Sequence, residues 1–218
     1  MAHHVVVVWL DQVLYKGPMT EPHFTLFTDY KSPYAYLAKD PAFALAAELG
    51  VELVIRPFTL DIPNAFGNLD VRTEAQWRKV RYLYQDVRRF ANKRGLRILG
   101  PQKIYDSTIA AIGLLYAQRE DCFRAYHDDV FRRFFMRELD IEQPDLIVAA
   151  LADAGGNPDG FADYLAGEGR DALNASNAEG LDLGLFGVPS FVVDGELFWG
   201  HDRLDFVRER LIELAPTR

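Results

Sequence analysis

A serine at the junction of a strand and a helix is the residue best placed to do chemistry in this sequence. Residues 23–29 alternate and are rich in aromatic residues, which predicts a strand, and Ser32-Pro33 then opens a helical pattern. The first N–H groups of a helix have no partner within the helix, and they lie at the positive end of the helix dipole. A hydroxyl there can donate a hydrogen bond to a bound anion, for which a thiolate from another molecule is a natural candidate. The alternative is that Ser32 only caps the helix.

A second motif lies near the other end of the chain, where residues 187–191 read Gly-Val-Pro-Ser-Phe. This motif enters a predicted strand, and a cis bond before Pro189 would turn the backbone of Val188 toward the Ser32 helix. The N–H and C=O of Val188 could then pair with an extended peptide, as in strand addition. An ordinary trans proline in a turn is the alternative.

The elements around these motifs predict how the two are brought together. Residues 23–58 form a predicted β-α-β unit with parallel strands, in which Pro41 should break or kink the helix. From about residue 60 to residue 183 the pattern is helical throughout. Asp194-Gly195 then predicts a hairpin, and an amphipathic helix closes the chain.

This order, β-α-β, helices, β-β-α, predicts an α/β thioredoxin-like fold with a large all-helical insertion. Residues 19–60 and 184–218 would form the thioredoxin-like domain, and residues 61–183 the insertion. Residues 1–18 resemble a histidine tag followed by a protease linker, so we interpret them as vector-derived, with Met19 as the natural start. The alternative is a further β-strand at the N-terminus.

Composition narrows the classes of partner and compartment. The net charge of −8 argues against nucleic acid as a partner, and no apolar run approaches the length that a membrane helix needs. The single cysteine, Cys122, excludes an internal disulfide and fits a reducing compartment, which we take to be the cytoplasm. We expect no metal site, since His127 and the two aspartates after it are consecutive on a predicted helix and do not face one another.

The two motifs together resemble the DsbA-like thioredoxin-fold family with a helical insertion. Within it they are most similar to the 2-hydroxychromene-2-carboxylate isomerases and the kappa-class glutathione transferases. The resemblance rests on "DYKSPYAYLA" near the start and on "FGVPSFVVDGELFWGHDRL" near the end. It implies that glutathione is the cofactor, that the substrate is a small electrophile, and that the protein can form a homodimer.

The resemblance also implies roles for particular residues. Ser32 would contact the glutathione sulfur, and the backbone of Val188, before Pro189, would pair with the cysteinyl unit. Asp202 would lie near the γ-glutamyl end, whose ammonium group suits a carboxylate. The other implied glutathione contacts are Asn68 and, near the glycyl carboxylate, Lys79.

The function implied is a glutathione-dependent isomerase or transferase. A disulfide oxidoreductase is one alternative, but dithiol exchange needs two thiols and positions 32 and 35 hold serine and alanine. A module that only binds a thiol or a peptide is the other alternative. The segment over residues 64–77, which should roof the pocket, departs from the wording of the family, so the sequence does not identify the electrophile.

For several further residues the sequence allows more than one interpretation. Lys31 stands where the family has an apolar residue, and it either helps to hold an anion or points to solvent. The helix over residues 77–94 is strongly basic, so it either attracts carboxylates or is a solvated face. His201 is a candidate proton shuttle beside Asp202, and His127 is a second candidate for acid–base work. Cys122 is expected to be buried packing. A pool of aromatic residues could line a pocket: Tyr34, Tyr36, Phe66, Tyr82 and Trp199.

Overall fold

The computed structural model describes residues 23–215, so the segment that we interpret as vector-derived, residues 1–18, lies outside it. In chain order the elements are β1 (His23–Thr28), α1 (Pro33–Leu49), β2 (Glu52–Pro57), α2 (Ile62–Phe66), a 3₁₀ turn (Leu69–Val71), α3 (Glu74–Lys93), α4 (Thr108–Arg119), α5 (Phe123–Phe135), α6 (Pro144–Asp153), α7 (Phe161–Ala166), α8 (Glu168–Asp182), β3 (Ser190–Val193), β4 (Glu196–Trp199) and α9 (Leu204–Leu214).

The four strands form one mixed sheet in the order β2-β1-β3-β4. β1 pairs with β2 in parallel, as the crossover helix between them requires, and β3 is antiparallel to both β1 and β4. The pairing of Phe27 with Ser190 brings the two predicted motifs together at one end of the two central strands, because Ser32 follows β1 and Pro189 precedes β3. The predicted β-α-β … β-β-α order is therefore confirmed.

The helices between β2 and β3 form the all-helical insertion. α4 packs against α5, α6, α7 and α8, and both α4 and α8 also contact β2. Ser176 of α8 donates to the carbonyl of Pro57 at 2.7 Å, which joins the insertion to the carboxyl end of β2. None of the helices in residues 23–215 combines the length and the apolar character that crossing a bilayer requires.

The predicted break at Pro41 does not occur, since α1 runs without interruption from Pro33 to Leu49. A proline within a helix leaves the carbonyl four residues earlier without its N–H donor. Here that carbonyl belongs to Leu37, and the guanidinium of Arg94 donates to it. Arg94 directly follows α3, so a side chain from the insertion replaces the bond that Pro41 cannot make.

The predicted hairpin is confirmed at Asp194-Gly195. Both residues have positive φ, 49° and 78°, which is the backbone of a two-residue turn whose twist matches that of the strands. The closing helix α9 packs against α1 and β3 and buries Val207 and Leu211. Together these contacts hold β3, and with it Pro189, in the centre of the sheet beside β1.

Candidate active site

Ser32 lies at the N-cap of α1, and its hydroxyl makes two hydrogen bonds. Its Oγ accepts from the backbone N–H of Ala35 at 3.2 Å and donates to the carbonyl of Val188 at 3.1 Å. The residue is 4% exposed. Ser32 therefore does cap the helix, and the same hydroxyl reaches across to the second motif.

The peptide bond between Val188 and Pro189 is cis, as predicted. Val188 is buried, and its carbonyl faces the N-terminus of α1, where Ser32 contacts it. The structure thus brings together Ser32, Val188 and Pro189, which the sequence separates by more than 150 positions.

Free hydrogen-bond donors at this end of α1 are few. Pro33 has no N–H, Ala35 N donates to Ser32 Oγ, and Tyr36 N donates to Ser32 O. The N–H of Tyr34 has no partner among residues 23–215. An anion at this site would meet the N–H of Tyr34 and the positive end of the helix dipole. It would also meet the hydroxyl of Ser32 once this group rotates away from Val188 O.

A buried aspartate holds the turn that presents Ser32. The carbonyl of Asp29 accepts from Ser32 N at 2.9 Å, and its carboxylate accepts from Lys31 N at 2.9 Å. The same carboxylate accepts from Leu60 N at 2.8 Å, on the loop after β2. Asp29 is not among the residues predicted from the sequence, although an aspartate at the first position of a tight turn is a readable signal.

The helical insertion contacts the same turn through α5. Tyr30 is buried against Phe131, and its hydroxyl lies 3.0 Å from Nδ1 of His127. His127 is fully buried, and burial lowers its pKa to about 3. This histidine is therefore neutral at physiological pH and supports Tyr30 rather than serving acid–base chemistry at the site. Residues 23–215 contain no group of three acidic, histidine or cysteine side chains arranged to hold a metal ion.

A cluster of aromatic rings joins α1, α3 and the loop after β4. The ring of His201 stacks on Tyr34 with centroids 4.8 Å apart and meets the edge of Phe90 at 4.5 Å. The hydroxyl of Tyr34 donates to Asp86 at 2.8 Å, and burial and this bond raise the pKa of Tyr34. Burial also lowers the pKa of His201. The role of His201 as a proton shuttle stays a prediction.

Among the described residues, no hydrogen bond or ion pair joins the other three predicted glutathione contacts to Ser32 or Val188. Asn68 is exposed ahead of the 3₁₀ turn, and Asp202 is exposed and pairs with Arg203 at 3.3 Å. Lys79 is exposed on α3, seven residues before Asp86, so the two side chains share one helix face. That face meets Tyr34 through Asp86, which puts Lys79 on the side of α3 that faces α1.

The remaining candidates divide between the core and the surface. Cys122 is buried, as expected, and burial raises the pKa of its thiol. Tyr36 is a core residue that stacks on Phe131 and Phe135, whereas Tyr82 and Trp199 are exposed. On the basic helix several cations already have partners, namely Arg81, Arg88, Arg89 and Arg94.

Lys31 does not point to solvent. Its ammonium group donates to the carbonyl of Leu60 at 2.9 Å and lies 3.5 Å from the carboxylate of Asp29. Its side chain is 9% exposed. No local pattern predicts this direction, since Leu60 is 29 positions away.

Comparison with known proteins supports the family resemblance. The family model for the DSBA-like thioredoxin domain matches residues 24–212. A 2-hydroxychromene-2-carboxylate isomerase from Sphingobium xenophagum is 28% identical over 195 residues, covering 86% of this chain and 96% of the relative. An isomerase of the same name from Pseudomonas putida is 26% identical over 182 residues, covering 82% of this chain and 88% of the relative.

Solved structures agree with this result. A 2-hydroxychromene-2-carboxylate isomerase superimposes with a TM-score of 0.71 at 25% identity, covering 88% of this chain and 95% of that one. A "probable DsbA oxidoreductase" from Streptomyces coelicolor superimposes with a TM-score of 0.73 at 20% identity, covering 91% and 93%. These likenesses establish the thioredoxin-like α/β fold with a helical insertion.

Proposed function

The chain belongs to the DSBA-like thioredoxin domain family, and we propose that within this family it is a glutathione-dependent isomerase or transferase acting on a small electrophile. The observation that carries the proposal is the contact between Ser32 Oγ and Val188 O at the N-terminus of α1. One group suits a thiolate and the other suits a peptide backbone, so the pair fits a thiol-bearing peptide. The names of the relatives support isomerisation of an aromatic-pathway carboxylate.

The residues present fit glutathione. Val188 offers backbone groups at a sheet end, Tyr34 offers a free N–H, and Ser32 offers a hydroxyl proton. Asp202 and Lys79 carry charges opposite to those of the γ-glutamyl ammonium and the glycyl carboxylate, and Asn68 adds an amide. When bound, glutathione supplies a thiolate nucleophile that adds reversibly to an electron-poor double bond.

The protein's own residues then have distinct tasks. Ser32 exchanges its hydrogen bond to Val188 O for one to the guest sulfur, and this keeps the sulfur anionic. The freed carbonyl of Val188 becomes available to a backbone N–H of the tripeptide. Asp29 and Tyr30 hold the turn, so the backbone at Ser32 stays in place and only its hydroxyl rotates when the thiol binds. Isomerisation results where the addition reverses, and conjugation results where it does not.

Disulfide exchange does not fit this site as well. It needs an attacking and a resolving thiol, and the sequence contains one cysteine, the buried Cys122. A non-catalytic binding module would use the same Ser32 and Val188 contacts, and turnover separates it from an enzyme. We also propose a cytoplasmic location, where glutathione is reduced, and a homodimeric assembly.

The test incubates the protein with 2-hydroxychromene-2-carboxylate, with and without reduced glutathione, and follows the absorbance of the substrate. We expect conversion that requires glutathione and that S-methylglutathione inhibits, because this analogue keeps the peptide but has no thiolate. Mass spectrometry of the product separates isomerisation from conjugation. Conversion at an equal rate without glutathione, or neither turnover nor binding of glutathione, would overturn the proposal.

A further inference from the structure

Lys31 comes one residue before the candidate catalytic serine, and its cationic side chain is 9% exposed. Burying an ammonium group is costly unless partners compensate for the lost water. Its partners here are the carbonyl of Leu60 at 2.9 Å and the carboxylate of Asp29 at 3.5 Å. These two partners hold the ammonium group of Lys31 beside the loop that follows β2.

Leu60 is held at both of its backbone groups by the turn that leads to Ser32. Lys31 donates to its carbonyl, and the carboxylate of Asp29 accepts from its N–H at 2.8 Å. Asp29 and Lys31 also contact each other through the backbone N–H of Lys31 at 2.9 Å. The loop after β2 and the turn after β1 thus behave as one hydrogen-bonded unit.

The chain that follows Leu60 has few other attachments. We call residues 61–71, which comprise α2 and the 3₁₀ turn, the roof segment. It contains no buried residue. Near its far end, Nε of Arg72 donates to the carbonyls of Phe66 at 2.9 Å and Gly67 at 3.0 Å, and α2 also contacts α3. A segment with so little burial has low local stability, so polar contacts at its ends determine its position.

We propose that Lys31 is a positioning residue that fixes the roof segment relative to Ser32. Its ammonium group holds Leu60 against the turn at residues 29–32, and the segment that begins at the next residue carries Asn68. An apolar residue at position 31 could not hold Leu60 in this way, because it has no donor for that carbonyl.

A functional consequence follows, and it rests on the proposed function. If Asn68 contacts glutathione, then loosening the roof segment weakens capture of glutathione and leaves the thiolate site at Ser32 intact. We expect Lys31→Met to raise the KM for glutathione about fivefold to tenfold, in line with the loss of one hydrogen bond to a charged group, and to change kcat less than twofold.

The direct test needs no ligand, since it measures amide hydrogen exchange in the roof segment of the free protein. Lys31→Met should speed exchange over residues 61–71 about tenfold, because the residue before the segment loses the hydrogen bond that its carbonyl accepts from Lys31. Lys39→Met is the matched control. Lys39 is a second lysine with little exposure, on α1, with a side chain 6% exposed, and it pairs with Asp40 and Asp128 at 2.6 Å and not with the roof segment. This control should destabilise the fold without a selective effect on residues 61–71.

Two further variants keep the test decisive. Lys31→Arg restores a charged donor and should recover most of the protection of the roof segment. Lys31→Gln, which replaces the ammonium group with an uncharged amide on a shorter side chain, gives the same readout should Lys31→Met fail to fold. Unchanged exchange in the roof segment, or an increase that Lys39→Met reproduces there, would overturn the inference. Failure of the wild-type protein to bind glutathione would overturn the proposed function and leave the exchange result standing.

Discussion

The hydroxyl of Ser32 donates to the carbonyl of Val188 at 3.1 Å, so the two groups that we assign to glutathione occupy each other in the free protein. Binding of a thiol-bearing peptide has to replace this single bond with two, one to the sulfur and one to a backbone N–H. In the free protein the hydroxyl of Ser32 and the carbonyl of Val188 thus satisfy each other while both residues are buried.

The first prediction concerns the hydroxyl of Ser32. Removing one donor to a developing or bound anion commonly costs about 100-fold to 1,000-fold in kcat, and we expect a loss of that size for Ser32→Ala. The same change removes the cap of α1 and should lower the free energy of unfolding by about 1 kcal/mol. Steady-state kinetics and urea unfolding measure the two effects.

Thr73→Ala is the matched control for the lost cap. Thr73 caps α3 by accepting from Gln76 N at 3.2 Å, and it lies outside the roof segment and the contacts proposed for glutathione. The control should lose similar stability and keep its turnover. Equal losses of kcat in both variants would mean that Ser32 acts only through the helix.

The second prediction concerns Asp202, which is exposed and pairs with Arg203. We expect Asp202→Asn to raise the KM for glutathione about tenfold, because the carboxylate no longer meets the γ-glutamyl ammonium. For cysteinylglycine, which lacks that group, the variant and the wild type should have equal KM values. Asp205→Asn, in the first turn of α9, is the control for a lost surface charge. An equal effect of Asp202→Asn on both thiols would place the γ-glutamyl end elsewhere.

The third prediction tests how α1 continues past Pro41. Arg94→Met leaves the carbonyl of Leu37 without a donor and should cost about 1–2 kcal/mol of stability. Pro41→Ala restores the backbone N–H that would otherwise bond to this carbonyl. The cost of Arg94→Met should therefore fall by about 1 kcal/mol in the Pro41→Ala background, as a double-mutant cycle measured by urea unfolding can determine. Additive effects would exclude the replacement that we describe.

The difference between the local and the long-range features explains what sequence could predict. Ser32-Pro33 and Asp194-Gly195 are local signals, since a cap and a two-residue turn depend on their own residues, and both were predicted correctly. The cis bond before Pro189 was also predicted, but from a resemblance between motifs.

The contacts that sequence could not predict all join residues far apart in the chain. The bond from Arg94 to Leu37 O spans 57 positions, and the bond from Tyr34 to Asp86 spans 52. Each depends on how α3 packs against α1, which no local pattern encodes. The direction of Lys31 was open for the same reason, because Leu60 comes beside it only after β1 and β2 have paired.

The fourth prediction concerns pH and His127. Burial lowers the pKa of His127 to about 3, whereas in the unfolded chain it has its ordinary value near 6.5. As the pH falls from about 6.5 toward 3, the unfolded chain takes up a proton that the folded protein does not. The free energy of unfolding therefore falls, by at most about 1.4 kcal/mol per pH unit from this residue.

His127→Gln should remove this contribution, since its side-chain oxygen can still accept from Tyr30 but does not titrate. Urea unfolding at a series of pH values should show that the stability difference between wild type and variant is constant above about pH 7 and shrinks as the pH falls below 6.5. A difference that does not change with pH would contradict the burial of a neutral histidine.

The central claim is that Ser32 and the N-terminus of α1 hold the thiolate of glutathione. The most direct measurement is the pKa of the bound glutathione thiol, obtained from the ultraviolet absorption of the thiolate as a function of pH in wild type and in Ser32→Ala. We predict that the wild type lowers the pKa of this thiol below its value in free glutathione, and that Ser32→Ala returns it most of the way while glutathione still binds. An equal thiol pKa in both proteins, or no saturable binding to the wild type, would contradict the account.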